Sequence, residues 1–134
     1  MKFLLTLFLI IISTNVLAWE VVKKKDQYFL VSSDKKTFAI VSEGGDPSFE
    51  KIEPFSPELD RVIYKAGVAG TSELKVIYRA LLLRKKDHKV LGDFPVSYQS
   101  MDGKSKVTVK WELKEDTVVI EDPETESTKI VPLR

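Results

Sequence analysis

The chain predicts a mainly β, antiparallel domain, a sandwich or small barrel of about eight or nine strands joined by hairpins. Three observations point to it. Short apolar runs are broken by polar turn clusters roughly every eight to twelve residues, the spacing of an antiparallel sheet. Val107, Val109, Trp111 and Leu113 alternate with Thr108, Lys110 and Glu112, so an extended strand there has one apolar and one wet face. The runs are rich in β-branched and aromatic side chains, which fit a pleated surface, and Gly, Pro, Asp and Ser punctuate them.

The chain opens on a segment of another kind. Met1-Lys2 is followed by an apolar run from Phe3 to Ile12, a polar break at Ser13-Thr14-Asn15, and Val16-Leu17-Ala18. A positive start, an apolar centre and small residues at a cleavage point are the marks of a signal peptide helix, with Trp19 as the first mature residue. The run is about half the roughly 20 apolar residues that a membrane-crossing helix needs. A lipid attached at the processing site would require a thiol, and the chain has no cysteine. The expectation is therefore a signal peptide at 1–18 and a single exported β domain at 19–134, periplasmic or secreted, with no stable membrane anchor after cleavage.

Along the domain, Gln27 to Ser33 and Thr37 to Ser42 flank Asp34-Lys35-Lys36 as a hairpin, and Tyr28-Phe29-Leu30-Val31 is apolar on both faces. Residues 57–66 fit two templates. Ser56-Pro57 followed by Leu59, Val62, Ile63 and Ala66, with Gly67 after, matches the start, period and stop of a short helix. Arg61-Val62-Ile63-Tyr64-Lys65-Ala66 also nearly duplicates Lys75-Val76-Ile77-Tyr78-Arg79-Ala80, and β-branched and aromatic residues at its centre suit two paired strands around a 67–72 loop. Glu73 to Arg84 is the longest strand candidate. The chain turns at Lys86-Asp87-His88 and returns through Lys89-Val90-Leu91 towards Val96-Ser97-Tyr98, interrupted at Gly92-Asp93-Phe94-Pro95 as at a bulge or corner.

Met101-Asp102-Gly103-Lys104 is a turn, and Lys114-Glu115-Asp116 reverses the strand that ends at Leu113. The run from Thr117 to Glu121 stops at Asp122-Pro123, where proline removes a ladder donor. Ser127 to Leu133 is the last strand, and Pro132 inside it places that strand at a sheet edge.

Composition narrows the function. After the leader, Lys and Arg equal Asp and Glu in number, and this balance argues against a nucleic-acid partner, whose phosphates demand a basic face. The basic groups Lys23-Lys24-Lys25, Lys35-Lys36 and Arg84-Lys85-Lys86 fall at expected turns, where charge guards against edge-to-edge aggregation. Absence of cysteine removes thiol nucleophiles and thiolate metal sites. His88 is the only histidine, so a histidine triad or a multi-histidine metal centre has no partners.

The loop Glu121-Asp122-Pro123-Glu124-Thr125-Glu126 is rich in oxygen donors but lacks the EF-hand order. Ser-x-x-Lys recurs at Ser32, Ser33 and Ser72 without the companion elements of penicillin-binding enzymes. Glu112 and Glu121 lie on neighbouring strands, but both point to the wet face, where salt bridging is the expected role.

Trp111 is in phase with the apolar face and reads as a core anchor. Phe49, Phe55 and Phe94 lie in or beside stretches with Gly or Pro, where an aromatic side chain caps a barrel end or anchors a partner. The resulting expectation is an exported, non-catalytic binding or inhibitory protein that uses loops at one end of the domain, with Phe49, Phe55 and Phe94 as partner-binding residues. Its partner would be a protein or an envelope component. No catalytic residue, cofactor or metal is expected. The competing readings are a carrier for a small apolar ligand inside a barrel and a structural envelope protein.

Overall fold

The computed structural model describes residues 19–70 and 73–134. The segment assigned to the signal peptide helix, 1–18, lies outside the described residues. Among the described residues eleven strands form, more than the eight or nine expected: β1 (Glu20–Lys24), β2 (Gln27–Val31), β3 (Thr37–Ile40), β4 (Ser48–Ser56), β5 (Leu59–Ala69), β6 (Lys75–Arg84), β7 (Lys89–Ser100), β8 (Lys106–Thr108), β9 (Lys110–Lys114), β10 (Thr117–Asp122) and β11 (Ser127–Pro132). They build three antiparallel sheets, β1-β2-β3, β4-β5-β6-β7-β8 and β11-β10-β9, and the five-stranded sheet curls into a half-barrel.

Three of the strands account for the difference in number. Strand β1 was hidden because Lys23-Lys24-Lys25 reads as a turn, whereas only Lys25 turns, at φ 57°, and Lys23 and Lys24 pair with Tyr28 and Gln27. Strand β4 was hidden by Pro54 and by its charges, both of which an edge strand tolerates because one side of its backbone faces water. The alternating run at 107–113 is two strands. Val109 is buried between them and donates its N–H to Val96 O at 2.9 Å, and the chain then leaves the five-stranded sheet to pair Trp111 with Ile120. Leu113, in phase with the apolar face, is nevertheless 44 % exposed at the rim.

No helix forms at 57–66. Ser56 pairs with Leu59, so Pro57 and Glu58 make a tight turn, with the Glu58 N–H donating to Ser56 Oγ at 3.3 Å. Ser-Pro is both a helix-start and a turn signal. The apolar spacing misled because β5 is a central strand with both faces covered: Val62, Tyr64 and Ala66 enter one core and Leu59 enters another. The duplicated segments do pair, with Tyr64 opposite Arg79 and Lys65 opposite Tyr78. Gly92-Asp93-Phe94-Pro95 stays inside β7, and the irregularities flank it, where Leu91 and Val96 lack partners in the β6 register. Pro132 sits on the edge strand β11.

The five-stranded sheet divides the interior. Leu81 and Leu83 of β6 join Leu30, Ile40, Val62, Tyr64, Ala66 and Ile77 beneath β1–β3, whereas Leu82, between them, joins Leu59, Val109, Val118, Ile120 and Val131 beneath β9–β11. Period-two alternation on one strand thus supplies both cores.

The connection from β3 to β4 is clamped to β5 by backbone hydrogen bonds. The Glu43 N–H donates to Ala66 O at 2.8 Å and the Val68 N–H to Gly44 O at 3.0 Å, across a bulge at which Gly67 has φ 136°. A Cβ on Gly67 would lie 2.2 Å from Gly44 O, so neither the dihedral nor the space admits a side chain. Gly67→Ala is expected to cost about 1–3 kcal/mol from backbone strain alone, more with the clamp broken, as read by urea unfolding. Gly45→Ala, whose Cβ meets nothing within 4 Å, should cost less.

Candidate functional site

The clamp delivers Glu43 to the end of a polar network buried on three adjacent strands. Tyr64 of β5 is fully buried, and its hydroxyl donates to Asp93 Oδ2 of β7 while accepting the Val41 N–H at 3.0 Å. Arg79 of β6, directly opposite Tyr64 in the ladder, donates through Nε to Asp93 Oδ1 at 2.9 Å, through Nη2 to the Asp93 carbonyl at 2.9 Å, and through Nη1 to Glu43 Oε1 at 3.4 Å. The Arg79 and Asp93 side chains are each 17 % exposed. A charge pair at that depth holds together only because hydrogen bonds satisfy it on every side.

A second polar pair meets this network from the other layer. Tyr98 of β7 packs against both cores and donates its hydroxyl to Asp122 Oδ2 at 2.6 Å, while Asp122 Oδ1 accepts the Glu124 N–H at 2.9 Å. Lys75 pairs with Glu124 beside it. Between the two pairs lies an open cleft of about 430 Å³. Ile77, Phe94, Pro95 and Ile120 give it apolar walls, and Glu43, Arg79, Asp93, Asp122 and Lys129 converge on it. Lys129 is exposed at the mouth.

Burial pushes the Tyr64 hydroxyl pKa well above its ordinary range, with the Asp93 charge and hydrogen bond adding to it. Burial and the hydrogen bond to Asp122 do the same for Tyr98. Both phenols stay neutral donors. For Arg79, burial works against the charge, but Asp93, Tyr64 and Glu43 outweigh it and hold the guanidinium ionised. Burial raises the Asp93 carboxyl above the usual value, opposed by the hydrogen bonds from Tyr64 and Arg79 and by the Arg79 charge.

Every charged group of the inner network is committed to another. The arrangement is suited to holding a shape and presenting fixed dipoles, and it offers no free nucleophile activated by a base.

The three phenylalanines singled out in the sequence are in strands, not loops, and all are half-buried. They do not share one end of the domain. Phe49 stacks on Trp19 at 6.0 Å under β1–β3, and Trp19 stacks in turn on Phe38 at 5.8 Å. Phe55 and Phe94 meet the Trp111 ring edge-on at 6.0 and 5.9 Å in the other core, and the indole donates to Pro95 O at 2.9 Å. Only Phe94 reaches the cleft.

Glu112 pairs with Lys110 at 3.4 Å on the wet face. Asp122 of the acidic loop is buried rather than solvated because Tyr98 and the Glu124 N–H claim both its oxygens. The network itself was missed: Arg79 and Tyr64 stand inside the duplicated segments, yet their partner Asp93 lies in a stretch that reads as a corner. Two charged residues in apolar strands were the available signal.

Comparison with protein-family models, with curated proteins and with solved structures finds no match.

The Asp93 carboxyl binds its proton more readily in the fold than in the unfolded chain. Its contribution to stability is thus complete below the unfolded value, about 3.9, and declines as pH rises through the higher folded value. Asp93→Asn deletes this titration, so the stability difference between wild type and variant should shrink between about pH 3 and pH 7 in urea unfolding. A difference that widens with pH would assign Asp93 a lowered pKa.

Proposed function

We propose that the chain is an exported, non-catalytic binding module, released by cleavage before Trp19, that engages a protein or envelope component through the cleft between β7 and β10–β11. The carrying observation is that cleft: apolar walls, fixed polar groups at its rim, and a buried network holding it open. Sites of this composition recognise ligands by shape and by a few placed hydrogen bonds. The saturated hydrogen bonding of Arg79, Asp93 and Asp122 supports binding over catalysis, since a reacting carboxylate needs a free face towards its substrate. Trp19, already stacked into the core, supports a domain that begins there.

Within the binding reading, Phe94 keeps the partner-contact role as part of the cleft wall, and Lys129 at the mouth supplies a charge for a partner's acidic group. Phe49 and Phe55 serve the cores. A carrier function inside a barrel is less well supported, because Leu30, Val62, Tyr64 and Leu81 on one side of the sheet and Leu82, Val118 and Ile120 on the other fill the space beneath it.

Photo-crosslinking in the native host tests the reading. A photoreactive phenylalanine analogue at the exposed position 129 is expected to yield a discrete adduct, and the same analogue at position 51 on β4, also exposed, is not. Adducts from 51 alone, or from neither position, would count against the cleft as the binding surface.

A further inference from the structure

A second cleft opens between the β1–β3 layer and the five-stranded sheet. Its volume is about 290 Å³, near the lower end of small-molecule sites. Trp19 and Phe38 come from the β1–β3 side, and Ile52, Val62 and Leu83 come from β4, β5 and β6. Ile52 pairs with Val62 and Asp60 with Leu83 in adjacent ladders, so these side chains form one continuous floor. Val62 and Leu83 are buried, whereas Ile52 is 41 % exposed, an apolar wall open to solvent.

The rim is where two basic turns, far apart in sequence, come together. Lys36 from the β2–β3 turn reaches His88 of the β6–β7 turn, Nζ to Nδ1, at 2.5 Å. Lysine has only protons to give, so Lys36 is the donor of that contact. Lys85 adds a second ammonium, held by Asp60 at only 3.5 Å. The acids that face the site are Asp34 and Asp60. Asp34 is engaged by Ser32 and Asp60 only by the long contact to Lys85. No ion pair within contact distance holds Lys36 among the described residues, although its charge, after the hydrogen bond from Ser32, helps hold the Asp34 carboxyl below its usual range.

We propose that this cleft binds a small monocarboxylate with a compact apolar body, the body lying against Trp19, Phe38 and Ile52 and the carboxylate between Lys36 and Lys85. The apolar floor selects the body and the two ammonium groups select the head. A neutral analogue would leave Lys36 without an anionic partner and Lys85 with Asp60 alone, and an amine would meet both with like charge. The site is separate from the β7/β10–β11 cleft, and its occupancy does not depend on a partner binding there.

The test uses protein purified from cells expressing the full chain, titrated calorimetrically with octanoate, 1-octanol and octylamine. Octanoate is expected to bind at one site, at least tenfold more tightly than 1-octanol, with no binding of octylamine. Lys36→Ala combined with Lys85→Ala alters two exposed side chains and should weaken octanoate at least tenfold, with the urea midpoint unchanged. Lys129→Ala, at the other cleft, should leave octanoate binding unaltered. Equal binding of octanoate and 1-octanol, undiminished binding in the double variant, or no octanoate binding up to millimolar concentration would each overturn the proposal.

Discussion

The hydrogen-bonded set Tyr64, Asp93, Arg79 and Glu43 is the constraint on which the arrangement of this molecule rests. A charged guanidinium beneath a sheet layer is costly to desolvate, and its cost is offset only if every donor finds an acceptor. Here the acceptors come from β7 and from the segment after β3, and the phenol that completes Asp93 comes from β5. Displacing any one of these elements would strand a buried polar group at about 1–3 kcal/mol or more, a large share of the stability of a small domain. The network therefore fixes relative position, where the apolar contacts around it would tolerate small slips.

That reasoning also explains the shape of the cleft. Asp93 and Phe94 are neighbours on β7 and point to opposite faces, so the strand that completes the network also supplies an aromatic wall. The bulge at Val96 then lets Tyr98 pack against both cores and reach Asp122. Layers that touch chiefly through apolar side chains are thereby pinned at two polar points, and the opening between those points keeps a defined width. At the cleft beside Trp19 and Phe38 the contact between Lys36 and His88 closes no such network, and Lys85 there is held only by Asp60.

Legibility from sequence followed the range of the information. The hairpins at 27–42, the turn at 101–104 and the edge character of Pro132 were readable because each is decided by neighbouring residues. The strand at 59–69 was ambiguous for a physical reason: a strand covered on both faces loses the alternation that distinguishes it from a helix. Phe49 and Phe55 were read as lying in or beside loops because Gly and Pro surround them, and they stand one residue inside the two ends of β4, whose bulges and edge position accommodate the neighbouring Pro54. The cleft was not legible, since Arg79, Asp93 and Asp122 are joined only by the sheet register and the packing of two layers.

The exchange behaviour of the Arg79 Nε–H and the Tyr64 hydroxyl proton, followed by nuclear magnetic resonance near neutral pH, tests this account most directly. Both protons face Asp93 in the interior. The account predicts resolved, slowly exchanging signals for both, lost together when Asp93 is replaced by alanine in a variant that keeps its β-sheet signals. Rapid exchange of the Arg79 Nε–H in the wild-type protein, at the rate of a solvated arginine, would contradict it.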